Sequence, residues 1–194
     1  LIIQPGFAEA HQRLGECLYA NGQFQAAEKS FERALTIKPD DVEVRYSLGK
    51  ALYALDRFDE TVSAARRVIE LNPESADAHN LLGAALSSLG QNNEAREIFQ
   101  RVIEMNPYHA SAHNNLGHEL GRRGQILAAI ASYRQAVALK RNYFEAHSNI
   151  LCAMTNLIEP PSNYLTEALY YGESIAKKVS SQFTTWQCDP QPKR

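Results

Sequence analysis

The amino-acid sequence predicts an all-α fold of repeated helix pairs, and two observations in one register support this prediction. Prolines recur every 34 residues, at Pro5, Pro39, Pro73 and Pro107. Glycines that each follow a leucine recur at the same spacing, at Gly15, Gly49, Gly83 and Gly117. Two residue types that repeat together indicate tandem units, and a fixed period of this length is typical of a solenoid.

Within each unit the pattern predicts a helix, a turn and a second helix. In the unit that starts at Val42, apolar residues recur at the spacing of one helical face, at Leu48, Ala51, Leu52 and Leu55. Residues typical of a turn follow the first helix of each unit, at Gly22, Asp56, Gly90 and Gly124. The second apolar run stops before the recurrent proline, which is a helix stop signal.

These signals divide the chain into four repeats of equal length, with shorter segments before and after them. The predicted segments are the end of a preceding repeat (1–7), four full repeats (8–41, 42–75, 76–109 and 110–143), a fifth first-helix (144–158), a terminal helix (164–182) and a linker or tail (183–194). The two prolines in the Glu159-Pro160-Pro161-Ser162 segment end the fifth first-helix. Because the chain starts in the middle of a repeat, we expect it to be part of a longer array.

Both ends of this array carry apolar residues that need cover. Leu1, Ile2 and Ile3 form an apolar patch at the start, which favours self-association through exposed repeat ends. One helical stripe of the terminal helix predicts that it covers the last unit; its residues are Leu165, Ala168, Leu169, Gly172, Ile175, Ala176 and Val179.

With Ala8, Val42, Ala76 and Ala110 as position one, the units share a longer pattern. Leu-Gly occupies positions seven and eight, an aromatic residue (Phe31, Phe99 or Tyr133) position twenty-four, and proline position thirty-two in the first three units. The pattern resembles the tetratricopeptide repeat. Ankyrin arrays, the nearest competitor, have a different period and a T-P-L-H-x-A string that this chain lacks. The resemblance implies a right-handed superhelix of antiparallel helix pairs with a concave groove that binds proteins.

Composition and cysteine usage exclude several classes of function. The net charge of −2 provides no field that would recruit nucleic acid or an anionic membrane. Cys17, Cys152 and Cys188 are widely spaced and form no C-x-x-C motif, so neither a disulfide framework nor a zinc site is predicted. No signal peptide or membrane-spanning run is visible, and a cytoplasmic location is expected.

Four histidines share position four of their repeats, a pattern that resembles a metal or proton-transfer site. They are His11, His79, His113 and His147, with Arg45 in the remaining unit. Neighbouring helices lie about 10 Å apart, whereas the ligands of one zinc ion lie about 2 Å from it. We therefore interpret these side chains as packing residues. The sequence also has no nucleotide-binding loop, so we predict no metal, no cofactor and no catalytic residue.

The inner face of the first helices is the predicted binding surface. Positions two, five, six, nine and twelve share one side of a helix. The residues expected to contact a protein or extended peptide are Gln12, Glu16, Tyr19, Tyr46, Lys50, Tyr53, Asn80, Asn114, Asn115, His118 and Asn149. An asparagine side chain offers both a donor and an acceptor, which suits a peptide backbone. Acidic Glu9 and Glu16 make a clamp for a terminal carboxylate the less favoured alternative.

A more specific resemblance lies in the strings FAEAH, AHNNLG and NYFEAHSNILCAM, with Asn115 and Asn149 at position six. They are similar to the repeat region of O-linked N-acetylglucosamine transferases. That resemblance implies an asparagine ladder that holds acceptor polypeptides for a catalytic domain outside these residues. Position six departs from the ladder in three units, which have Arg13, Ser47 and Leu81 there. A free-standing scaffold and a self-associating structural array are the alternatives.

Overall fold

Within residues 7–157 and 164–182, which the computed structural model describes, the chain forms ten α-helices and no strand. The helices are α1 (Ala8–Ala20), α2 (Phe24–Ile37), α3 (Val42–Ala54), α4 (Phe58–Leu71), α5 (Ala76–Ser88), α6 (Asn92–Met105), α7 (Ala110–Arg122), α8 (Ile126–Leu139), α9 (Phe144–Thr155) and α10 (Tyr164–Gln182). The predicted apolar patch at Leu1–Ile3, the break at Pro160-Pro161 and the tail lie outside the described residues.

The helices contact only their neighbours in the array, as in a solenoid. Each helix packs on the next one along the chain, and first helices also contact first helices, in the pairs α1–α3, α3–α5, α5–α7 and α7–α9. Among the described residues, no second helix contacts another second helix. The first helices therefore lie closer together and form the inner, concave side. This arrangement confirms the predicted all-α solenoid.

The glycine at position eight allows the two helices of a repeat to approach closely. A Cβ atom on Gly83 would lie 2.7 Å from the ring of Phe99, a buried residue of the second helix. A Cβ atom on Gly15 would lie 2.5 Å from the ring of Phe31. Since real Cβ atoms do not approach other atoms this closely, a side chain at position eight would push the aromatic ring away.

Repeat two has no aromatic ring opposite its glycine, and a side chain from the following repeat packs there instead. Ala65 occupies the position of the ring, and a Cβ atom on Gly49 would meet Leu81 Cδ2 at 3.0 Å and Ala64 Cβ at 3.5 Å. Leu81 is 7% exposed and belongs to the same core cluster as Phe99. A leucine from repeat three therefore packs where repeat two has no aromatic side chain.

The turns inside the repeats require a left-handed backbone conformation. Gly22, Gly90 and Gly124 have φ values of 74°, 79° and 75°, and Asp56 has a φ of 58°. Glycine adopts this conformation without steric cost, whereas a residue with a Cβ atom is strained there. Asp56 thus forms the same turn as the glycines, with some strain.

In repeats one to three, the side chain at the last position caps the start of the next first helix. The N-caps are Asp41, whose carboxylate accepts from Val44 N at 3.1 Å, and Ser75, whose hydroxyl accepts from Ala78 N at 3.2 Å. At α7 the Nδ1 of His109 accepts from the backbone nitrogen of Ala112 at 3.1 Å. These bonds satisfy backbone donors at the helix starts.

The terminal helix packs on α9 through a face that the sequence pattern does not predict. The rings of Tyr170 and Tyr171 lie 5.3 and 6.0 Å from the buried ring of His147. Leu165 and Leu169, from the predicted stripe, are 67% and 60% exposed. Contrary to the prediction, these two leucines do not cover the last unit, and the aromatic contacts of α10 with α9 come from Tyr170 and Tyr171.

Candidate peptide-binding groove

The concave side has an open cavity of about 440 Å³ that crosses four first helices. We call it the groove cavity; it is lined by Tyr53, Ala84, Ser87, Ser88, Phe99, Asn114, Asn115, His118, Glu119, Arg122, Glu145 and Asn149. The first helices that contribute are α3, α5, α7 and α9. Its size is within the range of sites that bind small ligands or peptide side chains.

The structure brings together only some of the predicted groove residues. Those that line the groove cavity are Tyr53, Asn114, Asn115, His118 and Asn149. The other predicted residues lie outside it, on α1, α3 and α5; they are Gln12, Glu16, Tyr19, Tyr46, Lys50 and Asn80. The cavity therefore lies in the second half of the array.

Asparagines pair between neighbouring repeats along the inner wall. The Nδ2 of Asn115 donates to Asn80 Oδ1 at 3.1 Å, and the Nδ2 of Asn149 donates to Asn114 Oδ1 at the same distance. In each pair, position six of one repeat bonds to position five of the repeat before it. Each donating amide keeps its carbonyl oxygen and a second hydrogen. Asn115 and Asn149 thus have polar groups left for a ligand.

Asn114 has a supporting position rather than an open one. It is 2% exposed, and its Nδ2 donates to Glu145 Oε1 at 3.4 Å while its oxygen accepts from Asn149. Both sides of this amide are engaged by α9. Asn114 therefore fixes the spacing of α7 and α9 at the cavity wall.

An aromatic cluster with one lysine occupies the inner face of the first half. The Nζ of Lys50 lies 4.9 Å from the ring centroid of Tyr46 and 5.5 Å from that of Tyr19, within the range of cation–π contacts. Burial raises the pKa of Tyr46 to about 12, with smaller contributions from Asp77 and Tyr19. Tyr53 packs edge-on against Phe58 at 5.4 Å. These contacts hold the rings in place.

Polar side chains of α1 bond to one another. The Nε2 of Gln12 donates to Glu16 Oε1 at 3.1 Å, and Arg13 pairs with the other oxygen of Glu16 at 3.3 Å. Gln12 and Glu16, two of the three predicted contact residues on this helix, are therefore already engaged locally. The asparagine pairs Asn80–Asn115 and Asn114–Asn149 have no equivalent in repeat one.

Glu119 is a buried charged residue of the cavity wall that sequence reasoning missed. It is 1% exposed, and its Oε1 accepts a short hydrogen bond from the hydroxyl of Ser87 on α5. A signal existed in the repeats, because Glu119 occupies position ten, where three other units have the buried alanines Ala51, Ala85 and Ala153. An acidic residue at a position that is a buried alanine in three of the other four units indicates a special environment.

Three of the five position-four side chains connect their first helix to the preceding loop. The Nε2 of His113 lies 3.0 Å from Pro107 O, the Nε2 of His147 lies 3.1 Å from Arg141 O, and the guanidinium of Arg45 donates to Pro39 O. These three carbonyls are equivalent in the repeat. His113 and His147 therefore join helix to loop, and His79 contacts the N-cap carbonyl of its own helix, Ser75 O, at 2.9 Å. In the described part of the chain no three His, Cys, Asp or Glu side chains come together as metal ligands.

The remaining features of the described chain are its cysteines and the hydropathy of its helices. Cys17 and Cys152 are exposed free thiols, and Cys188 lies outside the described residues. None of the helices in the described ranges combines the length and apolar character that crossing a membrane requires.

Comparisons with known proteins agree with this architecture. Family models described as tetratricopeptide repeat match residues 8–41, 46–110 and 110–143, which together span more than half of the chain. No curated protein sequence matches it.

Several solved structures share the fold. A thermophilic tetratricopeptide-repeat protein of Thermus thermophilus is 23% identical with a TM-score of 0.70, over 88% of this chain and 100% of that one. A MamA protein is 21% identical with a TM-score of 0.63, over 94% and 98%. MamA of Desulfovibrio magneticus is 20% identical with a TM-score of 0.66, over 89% and 96%. Identities this low indicate a shared fold and nothing further.

Proposed function

The chain belongs to the tetratricopeptide-repeat family, and we propose that this protein-interaction module binds an extended polypeptide in its concave groove. Repeats of this family are non-catalytic, so the proposed role of this segment is binding. The observation that carries the proposal is the groove cavity, which crosses four first helices and has partly unsatisfied amides of Asn115 and Asn149 in its wall.

The size of the groove favours an extended occupant. Packed helices lie about 10 Å apart, and an extended chain advances about 3.3 Å per residue. Each repeat therefore spans about three residues of peptide, and four first helices span about ten. The wall is held by contacts between repeats, so the module loses little freedom when it binds.

Removing the side-chain amides of Asn115 and Asn149 tests this proposal. The variant Asn115→Ala/Asn149→Ala should capture a displayed library of random ten-residue peptides at least about tenfold less than the wild type, because the backbone loses its hydrogen-bonding partners. A matched control, Gln135→Ala/Asn142→Ala, removes two exposed amides outside the cavity and should bind like the wild type.

Circular dichroism and thermal unfolding of each variant establish that the helices remain intact. Undiminished capture by a folded Asn115→Ala/Asn149→Ala variant would reject the groove as the binding site. Equal losses in both double variants would also count against it, since the control residues lie away from the cavity.

The finer role that we propose is recruitment of acceptor polypeptides for an O-linked N-acetylglucosamine transferase-like protein. Its support is the sequence resemblance of AHNNLG and NYFEAHSNILCAM, together with the paired amides at Asn115 and Asn149. A free-standing scaffold that assembles other proteins fits the fold and the groove equally well, and self-association through the repeat ends is a third alternative. We further propose a cytoplasmic location, which suits the exposed free thiols.

The protein expressed from its complete gene distinguishes these roles. An acceptor-recruiting protein should transfer the sugar of UDP-N-acetylglucosamine to serine or threonine in groove-bound peptides, and Asn115→Ala/Asn149→Ala should reduce that transfer. Peptide binding without any transfer would favour the scaffold. A mass in solution that rises with concentration, with no peptide capture, would favour self-association.

A further inference from the structure

The buried carboxylate of Glu119 is incompletely satisfied. Its Oε1 accepts from Ser87 and lies 3.6 Å from His118 Nδ1, whereas its Oε2 is buried and has no hydrogen-bond partner among the described residues. A buried carboxylate oxygen without a donor is costly, and a bound donor group would relieve that cost. Glu119 lines the groove cavity, so a ligand that occupies the cavity lies beside this carboxylate.

Other acceptors surround the same cavity. Glu145 contributes a second carboxylate to its wall, and Asn115 and Asn149 contribute carbonyl oxygens that their own inter-repeat bonds leave available. A lysine ammonium has three donors and no acceptor, so it matches a wall of this kind. Arg122 also lines the cavity, but it is exposed, and water and salt weaken its repulsion of a cation.

The geometry favours lysine over arginine. A guanidinium pairs best with a carboxylate through two parallel bonds, one to each oxygen. One oxygen of Glu119 is already engaged by Ser87, which leaves a single oxygen for the ligand. A point charge with rotatable donors suits this arrangement better than a planar fork.

We propose that the groove cavity is a specificity pocket for a lysine side chain of the bound polypeptide, with its ammonium against Glu119. This inference rests on the proposed binding of an extended peptide in the groove. Because Glu119 Oε2 is buried, contact with the ammonium requires a small movement of the cavity wall, which includes the exposed side chain of His118. The amides of Asn115 and Asn149 then hold the backbone of the bound peptide, while Glu119 selects one of its side chains.

Two sets of displayed ten-residue peptides test the proposal. Both are randomised without Lys or Arg, except that one set has Lys and the other Gln at a fixed central position. The wild-type protein should capture the Lys set about tenfold more strongly, as expected for a hydrogen bond to a charged group. Glu119→Gln, which keeps an acceptor for Ser87 but removes the charge, should capture both sets equally.

Glu104→Gln provides the matched control, because Glu104 is an exposed acid on α6 outside the cavity. It should retain the wild-type preference. Equal capture of the two sets by the wild type would overturn the lysine pocket and leave groove binding intact, whereas capture of neither set would overturn the groove itself. A preference that survives in folded Glu119→Gln would also overturn the pocket. Since the wild-type comparison requires no protein variant, a failure of Glu119→Gln to fold would not weaken it.

Discussion

Single side chains on the inner face owe their properties to neighbours in the adjacent repeats. Burial is the main reason that the pKa of Tyr46 is raised to about 12, and Asp77 of the next repeat contributes to the shift. The pKa of Tyr133 is raised to about 12 for the same main reason, with smaller contributions from Cys152, Glu119 and Glu145. Both phenols therefore stay protonated in the folded chain at a pH where an unfolded chain ionises.

These two shifts predict a loss of stability in alkali. Below pH 10 both the folded and unfolded states keep the protons, and the contribution to stability is complete. Between pH 10 and about 12 the unfolded state ionises while folded Tyr46 and Tyr133 do not, so stability falls as the pH rises. Urea midpoints measured across this range should fall less for Tyr46→Phe/Tyr133→Phe than for the wild type.

The control for this experiment is Tyr108→Phe, since Tyr108 is 79% exposed. It should follow the wild-type curve. A double variant whose midpoint falls with pH as steeply as that of the wild type would contradict a stabilising role of these protonated phenols.

At the scale of the helix pair, close packing depends on a glycine facing an aromatic ring. In repeat three the added Cβ at Gly83 would lie 2.7 Å from Phe99, whereas in repeat two the nearest atom to a Cβ at Gly49 is the end of the Leu81 side chain at 3.0 Å. The same substitution should therefore have different costs in two equivalent positions.

Gly83→Ala should lower the free energy of unfolding by about 1–3 kcal/mol, because the buried ring must move. Gly49→Ala should change it by less than about 1 kcal/mol, since a helix gains roughly that much from alanine and Leu81 can shift. Chemical unfolding followed by circular dichroism measures both. Equal destabilisation by the two substitutions would contradict the proposed difference in packing.

The terminal helix illustrates what periodicity leaves open. An apolar stripe through Leu165 and Leu169 predicts a buried face, but the structure places Tyr170 and Tyr171 against His147 instead. Periodicity gives the faces of a helix, and it does not rank an aliphatic face against an aromatic one when both are present.

On the scale of the whole molecule, a solenoid repeats one local packing arrangement. Each unit in the described part of the chain contacts only its neighbours, so the 34-residue period of Pro39, Gly49 and their equivalents was sufficient to predict the helix pairs. The concave face was predicted from the resemblance to tetratricopeptide repeats.

The details of the site depend instead on side-chain contacts between repeats, which a period does not encode. The burial of Asn114 follows from its bonds to α9, and the role of Leu81 follows from the absent ring in repeat two. Glu119 could have been found only by comparing position ten across the units and asking why one of them is charged.

The central claim, that the concave wall receives a polypeptide, is tested most directly by nuclear magnetic resonance of the isotope-labelled chain with a ten-residue peptide selected from the display library. The account predicts shifts in the side-chain amide signals of Asn115 and Asn149 and in the backbone signals of α7 and α9. The exposed Gln100 on α6 should not shift. Perturbations confined to the second helices, with Asn115 and Asn149 unchanged, would contradict it.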